Sequence, residues 1–248
     1  AVLEYLKAEN AYLDSMMSPV KPLQDKLFAE MKKRIKETDV SVPVYLNGYY
    51  YYSRFEEGKQ YMVYCRKKNN LEATEEILLD VNKMAEGHAY YSVTGLNVSP
   101  DNKLLAFGVD TVSRRQYSLY VKNLETGELL PDVMYPVTGS SEWGNDNATL
   151  FYTATNPVTL LSEKIMRHRL GSSSAGDQTV YIEKDHSNYL SIAKTKSNRY
   201  LLITSAATLS SEVRYLDADK PQGQFQVFQS RIKDVLYTVD HHDDKFLV

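Results

Sequence analysis

The stretch SPDNKLLAFGVDT, Ser99 to Thr111, decides how the rest of the sequence is interpreted. It joins a Pro-Asp-Asn turn to an apolar run that begins at Leu104 and reaches Val109. Pro presets φ and Asp or Asn can bond its own backbone, so this order is typical of a tight turn that leads into a largely buried strand. A single hairpin of this kind is common, and only its recurrence would identify a fold.

The same unit, a polar turn followed by an apolar strand, recurs toward the C-terminus. With Asp101, Asp146, Asn198 and Asp243 as markers, the spacings are 45, 52 and 45 residues. A repeat of roughly 40 to 50 residues that holds several short strands is typical of β-propeller blades. After SPDNKLLAFGVD, the recurring turn-and-strand sequences are NDNATLFYTAT, KSNRYLLITSA and HDDKFLV. An alternating strand follows each of the first three units: QYSLYVKNLETG after the first, SEKIMRHRLG after the second and SSEVRYLDAD after the third.

A less regular blade precedes these units, in VPVYLNGYYYYSR, KQYMVYCRKK and EEILLDVN. About four blades follow from residue 43 onward, and the last segment, IKDVLYTVDHHDDKFLV, stops partway through its blade. A propeller ring usually has roughly four to eight complete blades, so we expect the ring to continue beyond this sequence. The prediction is a mainly β chain with a partial β-propeller domain over residues 42–248.

The first forty residues follow a different period. Apolar residues recur at helical spacing, without an internal Gly or Pro, until Ser18-Pro19. A second amphipathic helix is predicted from about Pro22 to Thr38-Asp39, with Lys residues late in it that complement the helix dipole. Residues 1–41 are therefore predicted to form an N-terminal helical segment. The apolar positions are Leu3, Leu6, Leu13 and Met17 in the first helix and Leu23, Leu27, Met31 and Ile35 in the second.

Composition and charge narrow the possible partners. Lys and Arg total 29 against 32 Asp and Glu, a formal net charge of −3, so no nucleic-acid partner is expected. No apolar run approaches the roughly 20 residues that cross a bilayer, so no membrane partner is expected either. The single cysteine, Cys65, excludes an internal disulfide and fits a reducing compartment. We expect a cytoplasmic protein, with the periplasm left open because the chain lacks an initiator Met and should begin inside a longer gene product.

Several groups that often carry chemistry fit a structural role better here. GSSSAG, Gly171 to Gly176, resembles a nucleophile elbow, but a strand rather than a helix follows it, so a hairpin loop is predicted. The consecutive residues His241 to Asp244 point in different directions and are predicted to form a solvated turn instead of a metal site. His168 and Cys65 alternate with apolar residues and are predicted to pack. The chain is predicted to hold no catalytic residue, metal site or cofactor.

The pair Arg114-Arg115 in DTVSRRQYSLY is more informative. Two guanidinium groups at the entry to a strand can bind carboxylates on a facing surface, because guanidinium and carboxylate pair in a bidentate geometry. The alternative is a pair of solvated arginines at a hairpin, and the residues alone leave both possibilities open.

Several further segments are specific in sequence and follow one another along the chain: YLKAENAY, NGYYYYSRFEEGKQYMVYCR, LLDVNKMAEG, SPDNKLLAFGVDTVSRRQYSLYVKNLETG, NPVTLLSEKIMRHRLG and SSEVRYLDAD. Together they resemble the oligopeptidase B (protease II) group of the prolyl oligopeptidase family of serine peptidases. The resemblance implies a seven-bladed propeller that covers an α/β-hydrolase domain, whose Ser, Asp and His cleave short peptides after Arg or Lys. Those catalytic residues lie in a C-terminal part that this chain does not contain, so none is transferred to it.

The resemblance also implies what the propeller contributes. It would exclude folded proteins and, by opening against the hydrolase domain, admit oligopeptides with basic residues. Arg115 matches an arginine that pairs with the hydrolase domain in relatives, with Arg114 beside it. The acidic propeller residue of that interdomain contact falls at Ala89, so Glu86 is the nearby candidate for its role.

Two other classes of function stay open at this point. A stand-alone propeller could serve as a protein-binding scaffold, as many propellers do without catalysis. A propeller enzyme with its own site in the channel would need convergent acidic residues, and no such pair is identified. A downstream G-x-S-x-G motif followed by a late His would favour the peptidase over the scaffold.

Overall fold

The computed structural model describes residues 1–248 and consists of an N-terminal helical segment followed by antiparallel strands. The helices are α1 (Val2–Met17), α2 (Lys21–Lys33) and the short α3 (Val81–Met84), with single 3-10 turns at Ser18–Val20 and Ser174–Gly176. The strands are β1 (Val44–Leu46), β2 (Tyr49–Arg54), β3 (Val63–Lys68), β4 (Glu75–Asp80), β5 (Ser92–Val98), β6 (Leu104–Asp110), β7 (Tyr117–Asn123), β8 (Leu129–Trp143), β9 (Thr149–Thr155), β10 (Ser162–Arg169), β11 (Gln178–Ile182), β12 (Tyr189–Lys194), β13 (Tyr200–Ala206), β14 (Ser211–Asp217), β15 (Gln226–Gln229), β16 (Asp240–His242) and β17 (Lys245–Leu247).

The strands form successive up-and-down sheets, which confirms the predicted propeller architecture. Blade 1 is the four-stranded sheet β1 to β4, and blade 4 is the four-stranded sheet β12 to β15. A seven-stranded sheet from β5 to β11 holds blades 2 and 3, because β8 serves as the last strand of one and the first strand of the other. The pair β16 and β17 follows blade 4 and begins the next unit.

The shared strand β8 is a feature that the sequence pattern does not indicate. It runs for 15 residues, and Val137 near its middle pairs with Tyr117 of β7 on one side and Ala154 of β9 on the other. The part before Val137 completes blade 2, and the part after it opens blade 3. Pro136 and Gly139 lie within the strand, where the turn rules predict an interruption.

The change of blade within β8 depends on a close approach of three glycines, Gly95 of β5, Gly108 of β6 and Gly139 of β8. A Cβ atom added to Gly108 would lie 2.6 Å from the Cα atom of Gly139. A Cβ atom on Gly95 would overlap the carbonyl oxygen of Gly139, and both of these residues have positive φ. Only glycine lets three backbones meet this closely.

The apolar core is divided into three clusters, and each cluster lies between two adjacent blades. The second strand of a blade contributes to two clusters, because successive side chains point to opposite faces of the sheet. In β6, Leu105, Phe107 and Val109 pack toward blade 1, whereas Ala106 packs toward blade 3. The apolar run from Leu104 to Val109 is therefore explained by burial on both faces of the strand.

The turn between the first and second strands has the same geometry in successive blades. One residue of each turn is in the left-handed region, with φ of 64° at Asn102, 56° at Asn147, 58° at Asn198 and 52° at Asp243. Asn and Asp tolerate this conformation better than most residues, which explains their recurrence in these turns. The four markers chosen from the sequence lie at this position or one residue before it.

These turns bond to one another across the blades and form a continuous line, which we call the turn belt. Each link joins the turn of one blade to the turn or first strand of the next, so the blades are fixed at this edge by polar contacts in addition to their cores. The bonds run from Asn47 Nδ2 to Pro100 O at 2.8 Å, from Asp101 N to Asn147 Oδ1 at 2.9 Å, from Asn145 Nδ2 to Asn198 O at 3.1 Å and from Lys196 N to Asp240 Oδ1 at 3.0 Å.

The N-terminal helices differ from the prediction at one boundary. The second helix ends at Lys33 and not at Thr38-Asp39, because the N–H groups of Arg34 and Ile35 bond back three residues and close the last turn. β-Branched residues and Asp are weak helix formers, which fits the early end. Neither α1 nor α2 buries a residue, so their apolar positions face outward. No helix is both long and apolar enough to span a bilayer.

The three-glycine approach predicts a strong effect of a single added methyl group. We expect Gly108→Ala to lower the free energy of unfolding by about 1–3 kcal/mol, because the Cβ atom meets the Gly139 backbone and forces it to move. Gly176→Ala is the matched control, since nothing lies within 4 Å of its added Cβ atom. Denaturant unfolding followed by circular dichroism measures both variants, and equal midpoints would contradict the packing argument.

Candidate functional site

The loop that connects β6 and β7 is organised by one buried carboxylate. Asp110, the last residue of β6, is 1% exposed. Its Oδ1 accepts hydrogen bonds from the backbone N–H groups of Val112 at 2.7 Å and Ser113 at 3.1 Å. Its Oδ2 accepts from the N–H groups of Arg114 at 3.0 Å and Arg115 at 2.7 Å. We call residues 110–116 the arginine loop.

The two guanidinium groups of the arginine loop are exposed, and the hydrogen bonds that hold the loop do not involve them. Ser113 and Arg115 have positive φ values of 64° and 56°, a conformation that costs energy for residues with a side chain and persists where other contacts fix it. Arg114 and Arg115 are exposed, and neither forms an ion pair within the chain. The Asp110 carboxylate bonds to their backbone N–H groups and leaves both side chains available for an acidic partner.

Glu86 and Ala89 lie at the same edge of blade 2 as the arginine loop. The register pairs Ser92, at the start of β5, with Asp110, at the end of β6. The segment that precedes β5 and the loop that follows β6 therefore lie at the same edge of the sheet. Glu86 and Ala89 are both exposed. Glu86 forms no ion pair with either arginine, so the structure brings these residues to one edge without joining them, and their interdomain contact stays a prediction.

The corresponding loop of blade 3 lies beside the arginine loop. Asn156 Oδ1 accepts from the N–H groups of Val158 at 2.9 Å and Thr159 at 3.0 Å. Gln116 Nε2 donates to Pro157 O at 3.4 Å and links the two loops. This edge of blades 2 and 3 is therefore a surface of short loops held by side-chain acceptors, opposite the edge that carries the turn belt.

His168 joins blades 2 and 3 in the interior. Its Nε2 atom lies 2.9 Å from Asp132 Oδ1, and its Nδ1 atom lies 2.7 Å from Asp177 Oδ1. All three side chains are almost fully buried. The two ring nitrogens therefore each lie within hydrogen-bond distance of a buried carboxylate, one on β8 and one just before β11. The prediction that His168 packs is confirmed, and its role is to hold β8, β10 and the segment before β11 together.

The other candidates for chemistry are structural. Gly171 to Gly176 lies between the antiparallel strands β10 and β11, which confirms a hairpin loop. His241 corrects the prediction of a fully solvated turn: it is 3% exposed, because it packs against Tyr200 and Phe246. Residues 242–244 are exposed as predicted, and no group of three or more metal-binding side chains exists.

Cys65 is packed in β3, as predicted, and is 1% exposed. Burial raises the pKa of its thiol to about 11, with a smaller contribution in the same direction from the Glu75 carboxylate. A thiol in this environment is a poor nucleophile at neutral pH, because the reactive species is the thiolate.

The first strands of successive blades carry a polar network along the inner side. Asn97 Nδ2 donates to Glu142 Oε2 at 2.9 Å, and Lys194 Nζ donates to Asn145 Oδ1 at 2.8 Å. Burial raises the pKa of Glu142 and lowers the pKa of Lys194. Both residues line a cavity of about 860 Å³ that also contacts blade 1. The network contains no nucleophile with an adjacent base.

Sequence reasoning missed Asp110, Asp132 and Asp177. Asp110 could have been noticed, since an Asp at the end of a buried strand followed by a short polar loop is a common acceptor for backbone N–H groups. Asp132 and Asp177 offer no such signal. They are 36 and 9 residues from His168 along the chain, and only the fold brings them to it.

Comparisons with known proteins find similarity over the whole length of the chain. The family model for the prolyl oligopeptidase N-terminal beta-propeller domain matches residues 1–248. The chain is 42% identical to dipeptidyl aminopeptidase BI of Pseudoxanthomonas mexicana, covering 100% of this chain and 36% of that protein. It is 34% identical to protease 2 of Moraxella lacunata, covering 100% of this chain and 37% of that protein. The chain therefore spans little more than a third of these relatives.

Two solved structures are similar in fold and sequence. Oligopeptidase B from Leishmania major superposes with a TM-score of 0.90 at 30% identity, covering 98% of this chain and 34% of that one. Oligopeptidase B from Trypanosoma brucei, in a closed form with covalently bound antipain, superposes with a TM-score of 0.87 at 27% identity, covering 97% and 34%. In both proteins the matched region is about a third of a larger peptidase.

The buried histidine predicts a large loss of stability on substitution. We expect His168→Gln to lower the free energy of unfolding by about 3–5 kcal/mol, because Asp132 and Asp177 lose the ring that bonds to both of them and stay buried. His242→Gln is the matched control, since the side chain of His242 is 74% exposed. Thermal unfolding compares the two variants, and a similar small shift for both would contradict the role given to His168.

The raised pKa of Cys65 predicts slow chemical modification. At pH 8 a thiol with a pKa of about 11 is ionised to roughly one part in a thousand, so iodoacetamide should react with it far more slowly than with an unperturbed cysteine. The rate should rise as the pH approaches 11 and should become fast when guanidinium unfolds blade 1. Peptide mapping by mass spectrometry follows the residue, and rapid labelling of the native protein at pH 8 would contradict its burial.

Proposed function

The chain belongs to the prolyl oligopeptidase family, as its N-terminal propeller portion, and from this premise we propose that it is the access-controlling part of a serine oligopeptidase that cleaves short peptides after Arg or Lys. The proposed partner is a C-terminal α/β-hydrolase domain of the same protein, which would supply the catalytic Ser, Asp and His. We assign no catalytic residue to the 248 residues of this chain.

The observation that carries the proposal is the arginine loop. Two exposed guanidinium groups sit on a loop whose backbone is fixed and whose side chains have no acidic partner within the chain. A rigid and unpaired cationic surface fits a contact with carboxylates on a facing domain. We propose that Arg115, with Arg114 beside it and Glu86 at the same edge, forms this interdomain contact and stabilises the closed state.

The proposed mechanism is steric and electrostatic. Blades joined by cores on both sides and by the turn belt form a stiff cover, which would exclude folded proteins from the active site. Separation of the two domains would admit an oligopeptide, and closing would remove water from the reacting groups. The closed form of the Trypanosoma brucei oligopeptidase B with bound antipain supports a closing step in such enzymes.

A second candidate concerns the substrate. The relative at 42% identity is named a dipeptidyl aminopeptidase, so release of dipeptides from a free N-terminus is an alternative to internal cleavage. The two activities differ in whether the substrate needs a free α-amino group. A stand-alone scaffold is disfavoured, because each of the two relatives compared above is nearly three times as long as this chain. We propose a cytoplasmic location, with the periplasm as the alternative.

The substrate proposal is tested on the intact protein with matched fluorogenic peptides. We expect cleavage of an N-terminally blocked peptide that ends in Arg, loss of activity when Arg is replaced by Glu, and no cleavage of a folded protein. A serine-reactive phosphonate should abolish the activity. Cleavage of the unblocked Arg dipeptide alone would assign the dipeptidyl activity, and no cleavage of any peptide would refute the proposal.

The interdomain contact is tested by Arg115→Ala in the same intact protein. We expect the closed state to lose about 1–3 kcal/mol relative to the open state, the typical contribution of a partly buried charge-assisted contact. Small-angle scattering should then show a larger open fraction. Arg199→Ala is the matched control, because Arg199 is also exposed but lies in a turn at the opposite edge of its blade. Equal scattering from both variants would remove Arg115 from the contact.

A further inference from the structure

We infer that Asp110 is a positioning residue for the proposed interdomain contact. Its buried carboxylate fixes the backbone of the arginine loop, so that Arg115 is presented in one orientation before the domains meet. The inference rests on the proposed function, because it assigns a residue to the contact described there. It concerns a side chain that touches neither the substrate nor the hydrolase domain.

The geometry assigns all four loop bonds to a single group. Each carboxylate oxygen of Asp110 accepts two backbone N–H groups, at distances from 2.7 to 3.1 Å. The residue itself is anchored, because it ends β6 directly after Val109, which is buried in the core between blades 1 and 2. The loop is thus hydrogen-bonded at four consecutive backbone N–H groups to Asp110, and Asp110 cannot move without disturbing that core.

Blade 3 provides an internal comparison. Asn156 directly follows β9, in the place that corresponds to Asp110 at the end of β6, but its carboxamide has one acceptor oxygen, which receives only two N–H groups. Its Nδ2 atom donates to Glu163 instead. A carboxamide can therefore organise the first half of such a loop and not the second. In blade 2 the second half holds the two arginines, and the second oxygen of Asp110 is the atom that reaches them.

The hydrogen bonds of Asp110 leave the guanidinium charges of Arg114 and Arg115 available for the proposed contact. The carboxylate of Asp110 is saturated by backbone donors, and it forms no ion pair with either guanidinium group. The loop is ordered by contacts within this chain alone, so the entropy cost of ordering it would not fall on each closing event. Arg115 also has a φ of 56°, a conformation that an untethered arginine would rarely keep.

The test uses the intact peptidase with Asp110→Asn, Arg115→Ala and the double variant. Asparagine keeps the acceptor that serves Val112 and Ser113 but places an NH2 group against the N–H groups of Arg114 and Arg115. We expect each single variant to reduce the ratio of closed to open molecules about tenfold, the size of one lost charge-assisted contact. The double variant should show the same tenfold loss, because a free loop and a missing side chain remove the same contact.

Two further measurements separate positioning from general destabilisation. Trypsin should cleave after Arg114 or Arg115 at least about tenfold faster in Asp110→Asn, because a protease needs a mobile segment. Asp146→Asn is the matched control, since Asp146 also accepts two backbone N–H groups, at 2.8 and 3.1 Å, but lies in a turn of the opposite edge. It should leave both the closed fraction and cleavage at the arginines unchanged.

The outcomes distinguish this inference from the proposed function. If the wild-type protein cleaves no peptide, the proposed function fails, whatever the loop does. If Arg115→Ala opens the protein and Asp110→Asn does not, or if the two losses multiply to about a hundredfold, Asp110 is not the positioning residue and the proposed function stands. Asp110→Glu keeps the charge and displaces the carboxylate by one methylene, so it replaces Asp110→Asn if that variant does not fold and should give the same loss.

Discussion

The structure depends on one packing constraint: a blade has no core of its own and buries its apolar side chains only against its neighbours. Leu105, Phe107 and Val109 pack toward blade 1, while Ala106 between them packs toward blade 3. Phe151 of the next second strand faces blade 4 in the same way. Since each sheet is stabilised by the sheets on either side, the blades fold together, and the packing between them fixes the angle between adjacent blades.

Because of this constraint, the regions that stabilise the fold differ from the regions whose side chains are available for a functional contact. The cores and the His168 pairs fix the blades from within, and the turn belt fixes one edge. At the opposite edge the connections are short loops held by side-chain acceptors, so their outward side chains are not needed for folding. Arg114 and Arg115 lie on such a loop, where a functional contact can be made and broken without loosening the stack.

The sequence predicted those features of the fold that are local. Turn chemistry and alternation along SPDNKLLAFGVDT gave the blade repeat, because a left-handed Asn and a doubly buried strand leave a pattern within a dozen residues. The shared strand β8 depends on three glycines from three strands, and the partners of His168 are distant in sequence. His241 is buried partly by Tyr200 of the preceding blade, in addition to Phe246, its partner on the neighbouring strand β17. Contacts between blades leave no short-range pattern, so reasoning from the sequence could not find them.

The candidate site shows the same division between local and non-local information. The resemblance pointed to Arg115 as a contact residue, but the residue type alone could not say how the backbone that carries it is held. Asp110, five positions earlier, is buried in the interior and accepts a hydrogen bond from the backbone N–H group of Arg115. An exposed contact that must form repeatedly is best supported from a group that never leaves the interior, because the interior does not change when the contact opens. In this chain the Asp110 carboxylate therefore connects the rigid interior of the blades to the loop at which the opening of the domains is proposed.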